Sequence, residues 1–207
     1  MFGGERWLFV LSAALALVAS AACAGGAKLS GTPLHESAAP DFALHTPDGR
    51  SFHLSDLRGK TVVLTFLYTH CPDVCPAIAG RLALANQQLG KRAAKVAFVS
   101  VSVDPEGDTP ASVDAFTQEH GLAALGDRWR YAIGSRLDLA PVWQAYGIGA
   151  SPQPAALATL RPDPNGPPII DHNAVLYLID AQGRERTVLD QDVTVATLVG
   201  DLRQLTE

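Results

Sequence analysis

The sequence predicts an α/β domain with a central mixed sheet flanked by helices, and three observations predict it. Two β-branched and aromatic runs, TVVLTFLY at 61–68 and KVAFVSVSV at 95–103, stay apolar along their length, as strands covered on both faces do. Between them AIAGRLALANQQLG at 77–90 carries apolar residues at helical spacing and closes on Gly90, a C-cap residue, so strand, helix and strand follow one another. Late in the chain AVLYLID at 174–180, the turn AQGR and the strand RTVLD read as a hairpin, which adds antiparallel strands to the sheet.

The remaining elements follow in order. MFGGER supplies a short basic start with Arg6, and WLFVLSAALALVASAACA at 7–24 is an uninterrupted apolar run ending in small residues. At the lower length limit for a membrane-spanning helix, residues 1–24 are expected to be a signal peptide, a membrane anchor or a lipoprotein signal. In the last case Cys23, preceded by Ser20-Ala21-Ala22 in partial likeness to a lipobox, is the acylated residue. All three readings put the domain outside the cytoplasm. Residues 25–40 (GGAKLSGTPLHESAAP) have few large apolar side chains and read as a flexible tether, with the domain spanning 41–207.

FALHT and SFHLS flank PDGR, whose Asp48-Gly49 is a hairpin turn signal. After the second buried strand, Asp108-Thr109-Pro110 opens a capped helix running through ASVDAFTQEHG, followed by RYAIG, a helix around 136–146, and a last helix at 193–205. A strand-helix-strand unit with a late hairpin and a C-terminal helix describes a thioredoxin-like, peroxiredoxin-related fold.

Composition bounds the function. With 207 residues, 47% hydrophobic and 18% charged, the chain can bury one sizeable core. A formal net charge of -5, with Lys and Arg scattered, excludes the basic patch that nucleic-acid binding requires. Nothing in the pattern calls for an obligate dimer, and a monomer is expected.

The chemistry concentrates in THCPDVCP at 69–76. Cys71 and Cys75 fall where a central strand meets the start of a helix, and there free backbone N–H groups and the helix dipole lower a thiol's pKa. Three residues separate the cysteines, one more than in the usual thioredoxin-like pair. A four-residue offset on a helix sets Cβ atoms roughly 5–6 Å apart, whereas a disulfide prefers about 3.8 Å. The spacing favours a shared metal and leaves a reversible disulfide open.

Other ligands are scarce. The only further cysteine is Cys23 and the only methionine Met1, so a methionine-rich or four-cysteine site is excluded from residues 41–207. His45 and His53 belong to the early hairpin, His120 caps a helix, and His70 is adjacent to Cys71, where side chains of neighbours point apart. His172 follows a long Pro-rich segment, 147–170, on a loop at a sheet edge before a strand. Composition alone leaves it open between ligand and structural residue.

Three blocks in order carry a resemblance: Phe66-Leu67-Tyr68-Thr69-His70-Cys71-Pro72-Asp73-Val74-Cys75-Pro76, then Val101-Ser102-Val103-Asp104-Pro105 through Asp108-Thr109-Pro110, then Asp171-His172 followed by Tyr177-Leu178-Ile179-Asp180. From about Pro40 to the C-terminus the chain resembles the Sco (SenC/PrrC) family. The resemblance implies a membrane-tethered thioredoxin-fold protein that binds one copper ion and serves assembly of the binuclear copper centre of cytochrome c oxidase. Carried onto this chain, it implies Cys71, Cys75 and His172 as metal ligands and Asp104 in a supporting role. Implied partners are the copper-bearing oxidase subunit and periplasmic copper donors or thiol reductants. The segment before His172 departs from the family in its Pro and Ala content, and 147–160 lacks the aromatic residues the family leads one to expect.

Chemistry agrees with this ligand set. Two soft thiolates suit Cu(I), and an added imidazole suits Cu(II); the same three donors also fit zinc. The expectation is a periplasmic, membrane-attached metallochaperone rather than an enzyme, with Cys71 and Cys75 also a redox-active pair. The alternatives are a thiol-disulfide oxidoreductase, a thiol peroxidase, which lacks an Arg near Thr69, and a structural disulfide, whose small loop restrains the unfolded chain little.

Overall fold

The computed structural model describes residues 28–152 and 167–207. The two apolar runs become β4 (Thr61–Leu67) and β5 (Val96–Ser102), and all seven residues of each are buried. Strands with no polar face must lie inside a sheet covered on both sides. They are joined by α1 (Val74–Leu89) and pair in parallel, from Thr61 opposite Val96 to Leu67 opposite Ser102. Before them come β1 (Thr32–Pro33) and the small hairpin β2 (Ala43–His45) and β3 (Ser51–His53), turned by Gly49 at φ 83°. After them follow α2 (Pro110–Glu119), β6 (Trp129–Ala132), α3 (Arg136–Ala145), β7 (Ala150–Pro152), β8 (Ile170–His172), β9 (Val175–Ile179), β10 (Glu185–Asp190) and α4 (Val195–Leu205).

The main sheet has the order β1-β10-β9-β4-β5-β6. β4, β5 and β6 run parallel, while β9, β10 and β1 add antiparallel pairs. This is the mixed sheet expected, with α1 packed against α4 on it. Ile78 and Leu82 of α1, Leu198 and Leu202 of α4, and Leu64, Phe66, Phe98 and Leu178 of the strands are fully buried in one core. The fold is the thioredoxin-like one.

Two boundaries differ from expectation. α1 begins at Val74, earlier than residue 77, because Pro76 falls in its first turn, where a missing N–H belongs to a group with no intrahelical partner in any case. The stretch expected as tether carries an edge strand of the sheet at Thr32–Pro33 and is hydrogen-bonded to the domain from Ser30 onward. Thr32 and Pro33 pair with Val188 and Thr187, the Leu34 N–H donates to the Arg186 carbonyl at 3.0 Å, and the Ser30 N–H donates to the Asp201 carboxylate at 3.1 Å. Backbone pairing at an edge needs no apolar pattern, so composition carries no sign of it. Gly31 makes the approach possible: its φ is 76°, and a Cβ there would run into the Val188 carbonyl.

The segment 1–24, with Cys23, lies outside the described residues. Among the described residues no helix is long and apolar enough to cross a membrane.

Candidate metal centre

The site is built where β4 ends. The chain leaves β4 through Tyr68 and Thr69, and Thr69 is pinned by a residue far off in sequence. Its N–H and Oγ1 both donate to Asp108 Oδ1 at 2.8 Å, while Ser102 Oγ at 2.6 Å and Tyr131 OH at 2.8 Å donate to Oδ2. A carboxylate has about four acceptor positions, so Asp108 is filled. Burial raises its pKa against the pull of these donors. Sequence reading treated Asp108 as part of a helix start, and Thr109 does cap α2, accepting the Ser112 N–H at 3.1 Å. The tertiary role of Asp108 has no local signal.

Beyond Thr69 the loop delivers both cysteines as free, buried thiols, Cys75 in the first turn of α1. The Cys75 N–H donates to Cys71 Sγ at 3.4 Å. The Cys71 pKa is lowered from 9.0 to about 6, first by a bond from the Cys75 thiol and then by the backbone N–H groups of Asp73 and Cys75 and the Tyr68 hydroxyl, against the cost of burial. Cys75 moves the other way, because burial and the neighbouring thiolate hold its proton on. The pair therefore shares one proton between a ready thiolate and a reluctant thiol.

His172 reaches the pair from the opposite side. Its Nε2 stands 3.9 Å from Cys75 Sγ. Sequence reading put it on an irregular loop; it is instead the last residue of β8, opposite Ala150 of β7. Three-residue strands are too short to show a period, which is why composition missed them. Asn173 secures this hairpin by accepting the Gly149 N–H at 2.8 Å and donating to the Gly147 carbonyl at 3.0 Å. Burial lowers the His172 pKa, and Nδ1 has no well-formed hydrogen bond among the described residues. Burial thus favours the neutral ring, the form that has a lone pair for a metal, over the imidazolium.

Bond lengths of about 2.3 Å to sulfur and ~2.0 Å to nitrogen set two donors of one ion ~3.5–3.8 Å apart. The observed 3.9 Å meets that with a small closure. His172 and Cys75 thus stand near the separation of two donors on one ion, with the Cys71 sulfur beside Cys75, although the three donor atoms do not all lie within 4.8 Å of one another.

The other candidates do different things. Asp104 is buried, its N–H donates to Ser102 Oγ at 3.1 Å and its Oδ1 accepts the Gly107 N–H at 3.0 Å, so it shapes the turn leading to Asp108. His70, exposed, lies with Asp104 and Asp108 in a group whose donor atoms are within 4.8 Å of one another. Every Asp108 acceptor position is already occupied by Thr69, Ser102 and Tyr131, so that carboxylate has no free lone pair for an ion. His45 and His53 are exposed, and His120 ends α2 with its ring against Phe116 at 4.4 Å.

The family model for SCO1/SenC matches residues 30–207, starting at Ser30, which is hydrogen-bonded to Asp201 of α4 and Thr187 of β10. The chain belongs to the SCO1/SenC family. Its relatives include the mitochondrial SCO2 homologue of Bos taurus, 32% identical over 145 residues, covering 69% of this chain and 50% of that protein. The chain thus spans about half the length of the curated relatives it matches. Among solved structures, Bradyrhizobium japonicum ScoI with copper bound is 29% identical with a TM-score of 0.67, over 82% of this chain and 99% of that one. Apo Sco1 of Thermus thermophilus is also 29% identical, with a TM-score of 0.67 over 86% and 95% of the two chains.

Proposed function

We propose that this protein is a copper metallochaperone, holding one copper ion through Cys71, Cys75 and His172 and assisting assembly of the copper centre of cytochrome c oxidase. The observation that carries the reading is the approach of His172 Nε2 to Cys75 Sγ at 3.9 Å across two chain segments, next to the Cys71 thiol. The copper-bound ScoI relative supports it. Residues 1–24 direct the protein to the periplasmic side of the membrane, as a signal peptide, as a membrane anchor or as a lipoprotein signal acylated at Cys23.

The residues divide the work. Cys71 meets copper as a thiolate, whereas Cys75 gives up its proton on binding, so loading releases protons and weakens as pH falls. Two thiolates retain Cu(I), and neutral His172 adds the donor that suits Cu(II). Three donors leave room for a recipient's ligand, which release requires. Asp108 keeps the cysteine loop in register through Thr69, and Asp104 supports the turn beneath it.

The test is transfer. Copper-loaded protein is mixed with the metal-free copper-bearing domain of an oxidase subunit, and the copper of each is measured after separation. Movement of copper to the recipient is expected; retention, or no difference from free copper, overturns the chaperone reading. A second reading, a thiol-disulfide oxidoreductase acting on cysteines of a copper-site partner, is supported by the opposite pKa shifts of Cys71 and Cys75, the pattern of an attacking and a resolving thiol. It predicts reduction of a partner disulfide without copper and without need of His172.

A further inference from the structure

Tyr68 is among the largest fully buried side chains, with 1% of its surface exposed. It stands between the two segments that build the site. On one side its hydroxyl accepts the Ile170 N–H at 3.2 Å, two residues before His172, and its ring meets the His172 imidazole edge-on at 5.8 Å and 77°. On the other side its carbonyl accepts the Cys71 N–H at 3.4 Å, so the same residue also holds the start of the cysteine loop.

We propose that Tyr68 is a positioning residue whose hydroxyl couples the His172 strand to the cysteine loop and so determines how well the site holds Cu(II). The inference rests on the copper-site reading above and deepens it. β8 has only three residues and pairs with three of β7, so few bonds locate His172. Removing the hydroxyl leaves the Ile170 N–H buried without a partner, and the strand regains it only by moving toward water. Cu(I), held by two thiolates, does not depend on that strand; Cu(II), which needs the imidazole, does. Partners that orient a metal-bound histidine affect affinity by about 10- to 100-fold.

Tyr68→Phe keeps the ring and removes only the oxygen. The expected result is Cu(II) affinity about tenfold or more below wild type, a shifted thiolate-to-Cu(II) charge-transfer band, and Cu(I) affinity within about threefold. In the metal-free protein the His172 ring resonances broaden or move, a readout independent of copper. The decisive comparison is with His172→Ala. If Tyr68 acts through His172, the Tyr68→Phe/His172→Ala double variant binds Cu(II) no more weakly than His172→Ala alone. Full additivity of the two losses, or Tyr68→Phe equal to wild type while His172→Ala is impaired, overturns the inference and leaves the copper site standing. His172→Ala equal to wild type removes both. Circular dichroism of each variant guards against misfolding, and Tyr68→Leu, which also lacks the ring, is expected to lose Cu(II) and stability together.

Discussion

Replacing Asp108 by Ala removes the acceptor of four hydrogen bonds at once, and the structure indicates how much that costs. The hydroxyls of Thr69, Ser102 and Tyr131 can turn to other acceptors, but the Thr69 N–H, donated at 2.8 Å, is fixed in its loop. A buried donor left unpaired costs about 1–3 kcal/mol, and loss of hydrogen bonds to a charged acceptor adds about as much again. Relief of the carboxylate's own burial, which raises its pKa, offsets part of this. The net expectation is a loss of about 3 kcal/mol for Asp108→Ala and ~1 kcal/mol for Asp108→Asn, whose amide still offers an oxygen to Thr69. Urea unfolding of the reduced protein measures it, with the midpoint lowered and the slope unchanged.

The sign with pH is also determined. A raised carboxyl pKa means that the native state binds the proton more readily than the unfolded chain, so ionising Asp108 lowers stability. The stability of wild type minus that of Asp108→Asn should therefore fall as pH rises through the range above 3.8. A loss below about 0.5 kcal/mol for Asp108→Ala would refute the view that this carboxylate organises the cysteine loop.

The thiols should react unequally. Iodoacetamide at neutral pH is expected to modify Cys71 well before Cys75, with the Cys71 rate falling as pH drops through about 6; peptide mapping showing equal labelling would contradict the shared-proton picture. Gly31→Ala should cost about 1–3 kcal/mol, since a Cβ at positive φ meets the Val188 carbonyl, and an unchanged melting temperature would show that β1 is dispensable to the fold.

Different parts of the molecule were legible to different degrees. β4 and β5 could be read because burial on both faces writes itself as an unbroken apolar run. β1 could not, because an edge strand of two residues is held by backbone groups that every sequence possesses. Pro76 looked like a residue before the helix and lies within its first turn. At the site, Cys71 and Cys75 announced themselves by spacing, whereas His172 stood out from the five other histidines by its place between a Pro-rich segment and a strand, and as a ligand only through the family resemblance. The contacts of Asp108 and Tyr68 were not legible, since their partners Thr69 and Ile170 lie 39 and 102 residues away and no local pattern encodes such contacts.

The central claim is that Cys71, Cys75 and His172 hold one copper ion together. Copper titration of the reduced protein, with elemental analysis and X-ray absorption at the copper edge for wild type and His172→Ala, tests it most directly. One copper per chain, with sulfur neighbours in both proteins and a nitrogen neighbour from imidazole lost in the variant, is the predicted result. No retained copper, or copper with an environment free of sulfur or indifferent to His172→Ala, would contradict it.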